Sequence, residues 1–344
     1  MVFLTYTDYK KIKESKKMKK QSKRKTTSFK SSILLLLLLA VLLISSTYAW
    51  FTANETVTVS PIQVNVKASN GLQISTDASN WKATITNDDL IANIETSYAS
   101  NTNQVPTELA PVSTAGGVTG GNLDMYYGTV VEGSSNNFVL VSEKQTDTAG
   151  TTGYYIAFDL FLRVETDTPI YITPTSQVKF TDATDVGLQN AARIAFINEG
   201  TGTTSDTAET LQGLKNGTTA SIWEPNYDTH TGSAVQNAKN NYGITTTTTG
   251  GSLLAYNGIK AEFTKDDNVS VQQLTTPSTQ YFGAVTPTYS TVNGFTEKQA
   301  FATLSKGITK YRIYMWIEGQ DVDCENGASG SNIQFNLQFT QNNS

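Results

Sequence analysis

The chain has 344 residues, with 25 Lys plus Arg, 30 Asp plus Glu, one His and one Cys. Eleven of the basic residues crowd between Lys10 and Lys30, so the part after residue 49 holds 14 basic and 28 acidic side chains, a net charge of −14. That acidic balance excludes the concentrated Lys/Arg that nucleic acid needs, a single Cys excludes an internal disulfide, and a single His, His230, excludes an HExxH zinc site, which needs two.

In chain order, the first element is apolar. Ile33 to Ile44 reads ILLLLLLAVLLI, twelve residues, where a spanning helix usually needs roughly 20. The basic run precedes it, and Ser45, Ser46, Thr47, Tyr48 and Ala49 follow. Thr47 and Ala49 place small side chains at the −3 and −1 positions of a signal-peptidase site, which predicts cleavage between Ala49 and Trp50. Residues 1–49 are therefore expected to be a basic leader and an apolar signal helix, in the membrane only through residues 33–49 before cleavage. The other reading is an uncleaved anchor in the plasma membrane. Met18 opens MKKQSKRKTTSFK, a signal of ordinary length, and is the expected start.

Residues 50–68 form an extended segment. Val57 and Val59 alternate, and Ile62, Val64 and Val66 resume the phase after Pro61. Period-two alternation, the mark of a half-buried strand, recurs over Tyr154–Val164, Lys310–Ile317 and Asn332–Thr340. Weaker strand patterns cover Gly71–Ser75, Met125–Val131, Phe138–Ser142, Ala192–Asn198 and Leu253–Phe263. Many short strands with polar turns predict an all-β domain over 69–344, an antiparallel jelly-roll-like β-sandwich. Gly200–Gly251, rich in Thr and Gly, reads as a long polar surface insertion. Glu297–Ser305 reads as the one helix, stopped by Gly307.

Polar chemistry concentrates in EGQDVDCENG. Asp321, Asp323 and Glu325 stand two apart and are candidate oxygen ligands for calcium; Asp and Asn are also ordinary turn residues. No other cofactor is suggested. Cys324 among these acids is a poor nucleophile, and a buried, inert thiol is expected. His230 in DTHTG reads as a solvated loop residue, and no GxSxG elbow accompanies it. Trp81 and Trp223 are candidates for a glycan-stacking surface, or else core residues.

The junction TYAWFTANETVTVSPIQVNVKA resembles the TasA/camelysin group of Firmicutes surface and matrix proteins, whose signal peptides are cut by a SipW-type signal peptidase. Trp50-Phe51 matches the aromatic pair after the cleavage alanine. KYRIYMWIEGQDVDCENG and NIQFNLQF resemble the C-terminal hairpin of exported Firmicutes proteins with the same type of signal. The resemblance implies a secreted jelly-roll subunit of a biofilm-matrix fibre, in which an N-terminal strand freed by cleavage enters the sheet of the next copy. Trp50, Phe51, Val57 and Val59 would then be the assembly strand, and the partners would be signal peptidase and further copies of the chain, joined head to tail. The same segment also fits the first strand of its own sheet. The expected function is a non-enzymatic, extracellular structural subunit; the alternative is a monomeric or membrane-tethered surface protein binding a glycan or host ligand.

Overall fold

Apolar side chains at every second position commit many segments of this chain to extended backbone, and the computed structural model pairs these segments into sheets. It describes residues 63–69, 71–92, 98, 101–132, 138–182, 184–227, 229–242, 256–265, 280–291, 294–325 and 330–341. Ala49, Trp50, Phe51, Val57 and Val59, and with them the cleavage site and the expected assembly strand, lie outside the described residues. The described residues belong to one compact unit, Tyr48–Ser344.

The strands run β1 (Gln63–Ser69), β2 (Gln73–Ser75), β3 (Thr84–Thr86), β4 (Val112–Ser113), β5 (Val118–Thr119), β6 (Asn122–Leu123), β7 (Met125–Glu132) and β8 (Phe138–Gln145). There follow β9 (Ile156–Val164), β10 (Thr168–Ile172), β11 (Gln177–Phe180), β12 (Ala192–Gly202) and β13 (Ala220–Glu224). The last are β14 (Tyr256–Ile259), β15 (Phe263–Lys265), β16 (Phe282–Val285), β17 (Tyr289–Ser290), β18 (Gln299–Leu304), β19 (Gly307–Ile317) and β20 (Ile333–Gln341). Short helices are α1 (Asn87–Ala92), α2 (Ala208–Gln212) and α3 (Gly232–Tyr242). The fold is all-β in class.

The first sheet has the order β18-β10-β20-β1-β3, with β11 also paired to β20. The second has the order β17-β13-β12-β19-β9-β2. The two bury one shared core: Val64 and Val66 of β1 and Phe335, Leu337 and Phe339 of β20 pack with Phe158, Leu160 and Leu162 of β9 and Ile313 and Met315 of β19. β20 alternates buried and half-buried positions along its length, as a strand with one face on a core should.

β9 and β19 differ from that pattern. Nearly every position of β9, and every position of β19, is buried. Their second faces are covered too. Ala157, Ala195, Ile197, Tyr314 and Trp316 pack with Val112, Leu123 and Met125 of the β4-to-β7 region. Further along, Phe161 and Ile308 pack with Leu211 of α2. A strand covered on both faces reads as a near-continuous apolar run, and YYIAFDLFL and YRIYMWI have that texture.

Three expectations are corrected. Glu297–Ser305 is not a helix: Gln299–Leu304 is β18, antiparallel to β10. A nine-residue helix is marginal in water, whereas the edge of β10 offers backbone partners and Phe301 packs among Phe196, Tyr311 and Phe339. Gly307 does not stop a helix either; a Cβ there would lie 2.2 Å from the Gly202 carbonyl oxygen, so glycine lets β19 approach β12.

Within the expected surface insertion, residues 200–202 and 220–224 are strands of the second sheet. β12 continues to Gly202, and β13 pairs with it from Ile194↔Trp223 to Ile197↔Ala220. Trp223 is fully buried, stacked on Phe295 with ring centroids 4.9 Å apart. Residues 243–251 lie outside the described residues.

The sheets are not wholly antiparallel. β1 runs parallel to β20, from Gln63↔Gln334 to Ser69↔Thr340, and antiparallel to β3 on its other side. Residues 63–68 of the expected extended segment are thus an interior strand of this chain's own first sheet.

Candidate functional site

The acidic turn after β19 is built by local hydrogen bonds. Asp321 N–H donates to the Glu318 carbonyl at 3.1 Å, and Cys324 N–H to the Asp321 carbonyl at 3.1 Å. Asp323 N–H donates to Asp321 Oδ1 at 2.9 Å, the Asx-type bond expected of such a sequence. The turn is nonetheless buried, because three other segments converge on it. Arg193 of β12, 1% exposed, lies 2.7 Å from Asp321 Oδ2 and 2.7 Å from Glu224 Oε1. His230 Nδ1 lies 2.7 Å from Asp323 Oδ2. Asn237 of α3 donates to both Glu325 oxygens at 3.1 Å.

His230 is therefore not a solvated loop residue; its ring pairs with the turn, two residues ahead of α3. Asp323 Oδ1 accepts from Thr231 N–H at 2.9 Å, and Thr231 Oγ1 accepts from Ala234 N–H at 3.1 Å. Thr231 caps α3, and Asp323 holds the cap. No local pattern signals this pairing, because His230 and Asp323 stand 93 positions apart.

Donor atoms of His230, Asp321 and Asp323 lie within 4.8 Å of one another. Asp321 faces the Arg193 guanidinium, Asp323 faces His230, and Glu325 faces Asn237, so the three expected ligands serve three different partners. Burial, then the surrounding carboxylates, push the Cys324 thiol well above its ordinary range. Burial likewise pushes Glu318 up to about 7, although it accepts from Trp316 Nε1 at 3.0 Å and Gln320 N–H at 3.1 Å.

A second polar group crosses the outer face of the second sheet, between its two apolar clusters. Arg312 of β19 donates to Asp147 Oδ2 at 2.8 Å, Asp159 Oδ1 at 3.2 Å and Asn103 Oδ1 at 2.7 Å. Lys310 lies 3.1 Å from Asp159 Oδ2 and donates to the Gln212 carbonyl at 2.7 Å. Tyr155 and Tyr314 hydroxyls donate to Asp147 at 2.8 and 2.6 Å. Burial would raise the Asp159 carboxyl, but Arg312 and Lys310 outweigh it and hold it below its usual value.

The candidate assembly surface is β18. Among the described residues it pairs with β10 on one side and ends the sheet on the other. Its six residues, QAFATL, carry no charge and no Pro, the features that commonly protect a sheet edge. β2, β3 and β17, at the other ends of the first and second sheets, are only two or three residues long.

Trp223 is core, and Trp81 lies under the Arg163 guanidinium, 5.8 Å from the ring centre; the two do not form a stacking platform. Among the described residues no helix is long and apolar enough to cross a membrane. No family model, curated protein or solved structure matches the chain.

Proposed function

We propose that the chain is a secreted, non-enzymatic structural subunit of a bacterial cell-surface or biofilm-matrix fibre, with a jelly-roll-like sandwich as its body. In this reading signal peptidase cuts between Ala49 and Trp50. Residues Trp50–Ser60 of one copy then add to β18 of the next, head to tail. Such addition does not close on itself, so the product is a filament.

The observation that carries the proposal is the placing of the edge relative to the chain's entry. β10 meets β20 at Phe339, level with Ala68 of β1, and β18 begins level with the same point. The chain enters β1 at Gln63, five residues or about 17 Å back along the strand direction. Gln63, the start of β1, thus lies at the end of the first sheet away from β18, which favours the edge of another copy. Backbone pairing to an open edge gives affinity, and alternate side chains give register.

Electron microscopy of the protein with and without residues 50–60 tests this. Filaments that vanish on truncation support strand donation; filaments that persist, or none in either, count against it.

A further inference from the structure

A cleft of about 110 Å³ opens beside the charged row on the outer face of the second sheet. Its walls include Asn122, Glu199, Lys215, Lys310 and Arg312, and every lining residue is polar or glycine. Local sequence builds each wall. Asn198 and Gly200 flank a register shift in β12 against β19, and a bulge of this kind re-aims a side chain; Glu199 is the residue in it. Opposite stands the β5–β6 hairpin, turned by Gly120 and Gly121 at φ +57° and +77°, the type I′ geometry that glycines favour. A Cβ on Gly121 would lie 2.8 Å from Glu199 Oε2 and 2.5 Å from Lys215 Cγ, so its missing side chain keeps the cleft open.

Glu199 is the odd member of this wall. It is 1% exposed. Its Oε2 accepts from Gly217 N–H at 2.9 Å, while Oε1 has no hydrogen-bond partner among the described residues. Leaving a buried charged acceptor unsatisfied is costly, and native structures retain such groups where a ligand or solvent completes them. Asp159, by contrast, is fully engaged by Lys310, Arg312 and Tyr98. The cleft therefore asks for a donor at Glu199 and offers ammonium donors from Lys215 and Lys310.

We infer that this cleft binds a vicinal diol, one edge of a neutral monosaccharide unit. The charges decide the class. A cationic ligand would meet Lys215, Lys310 and Arg312, and an anionic one would meet Glu199. Adjacent hydroxyls satisfy both sides, since each donates to a carboxylate while accepting from an ammonium. The size agrees: an engineered cavity of roughly 150 Å³ takes one benzene ring, and this smaller, open cleft takes the edge of a ring. The inference goes beyond the fibre reading and does not depend on polymerisation.

The test is calorimetric titration of the full chain with glucose, galactose, mannose and N-acetylglucosamine, with ethanolamine and acetate as charged controls. At least one sugar is expected to bind with a Kd of about 1 mM or tighter. Glu199→Gln should weaken it about tenfold or more, while raising the melting temperature of the ligand-free protein because a buried, half-unpaired charge is gone. Gly121→Ala should block the cleft. Lys215→Ala, at an exposed rim position, should fold normally and weaken binding about threefold; it decides alone if the other two variants misfold. The inference is overturned if no sugar binds, if ethanolamine or acetate binds instead, or if sugar binding is unchanged in the folded variants.

Discussion

Arg312 of β19 and Asp147, just beyond β8, meet at 2.8 Å with both side chains buried. They lie 165 positions apart and tie the loop after β8 to the centre of the second sheet. Removing the guanidinium strands Asp147 and Asp159 in a dry setting. Arg312→Leu is expected to cost about 3–5 kcal/mol, as for other broken buried pairs, read from denaturant unfolding. A loss below about 1 kcal/mol would show that water reaches the carboxylates.

Glu318 sets a pH dependence. Its folded-state value of about 7 lies above the ordinary 4.5. Between those values the folded protein holds a proton that the unfolded chain has released. The stability it contributes is full below about pH 4.5 and is lost as pH rises through about 7, on the order of 3 kcal/mol in all. Glu318→Gln should remove this slope: relative to the variant, the parent loses stability between about pH 4.5 and 7. Parallel pH profiles would sink the assignment.

His230 and Asp323 anchor α3. Asp323→Asn or His230→Ala should release the helix for about 1–3 kcal/mol. Hydrogen exchange is the measurement. Protection should fall over Gly232–Tyr242 and hold in β12 and β19; uniform change across the molecule would contradict a local anchor.

Two glycines separate backbone strain from close approach. Gly71, at φ +85°, has nothing within 4 Å of a would-be Cβ, whereas Gly307, at φ +135°, would place one 2.2 Å from Gly202. Gly71→Ala should cost about 1–2 kcal/mol for the left-handed conformation alone. Gly307→Ala should cost more, since β19 must shift away from β12. Equal melting temperatures would refute the contact.

The open edge can be closed chemically. Thr303 is an exposed residue of β18, and Thr303→Lys places there the charge that natural edges use against pairing. The subunit should melt within about 0.5 kcal/mol of its parent and form no filaments in electron micrographs. Filaments of unchanged length would remove β18 as the acceptor.

Local residue patterns are enough to show that this chain folds as β-structure, and where its main strands lie. Period two in Ile333–Phe339 and the apolar texture of Ile156–Val164 and Ile308–Ile317 are local properties, written in neighbouring residues. What the tertiary structure alone decided is which faces meet. Arg312 and Lys310 alternate with apolar residues, so their face reads as solvated until a second layer covers it. Gln299–Leu304 reads as a helix until β10 offers it an edge, and Ala220–Trp223, inside a polar stretch, reads as an insertion until β12 pairs with it. His230 and Asp323, or Glu199 and Gly121, come together through chain reversals that leave no periodic trace. Burial and charge pairing belong to contacts between distant segments, and those contacts are set by packing.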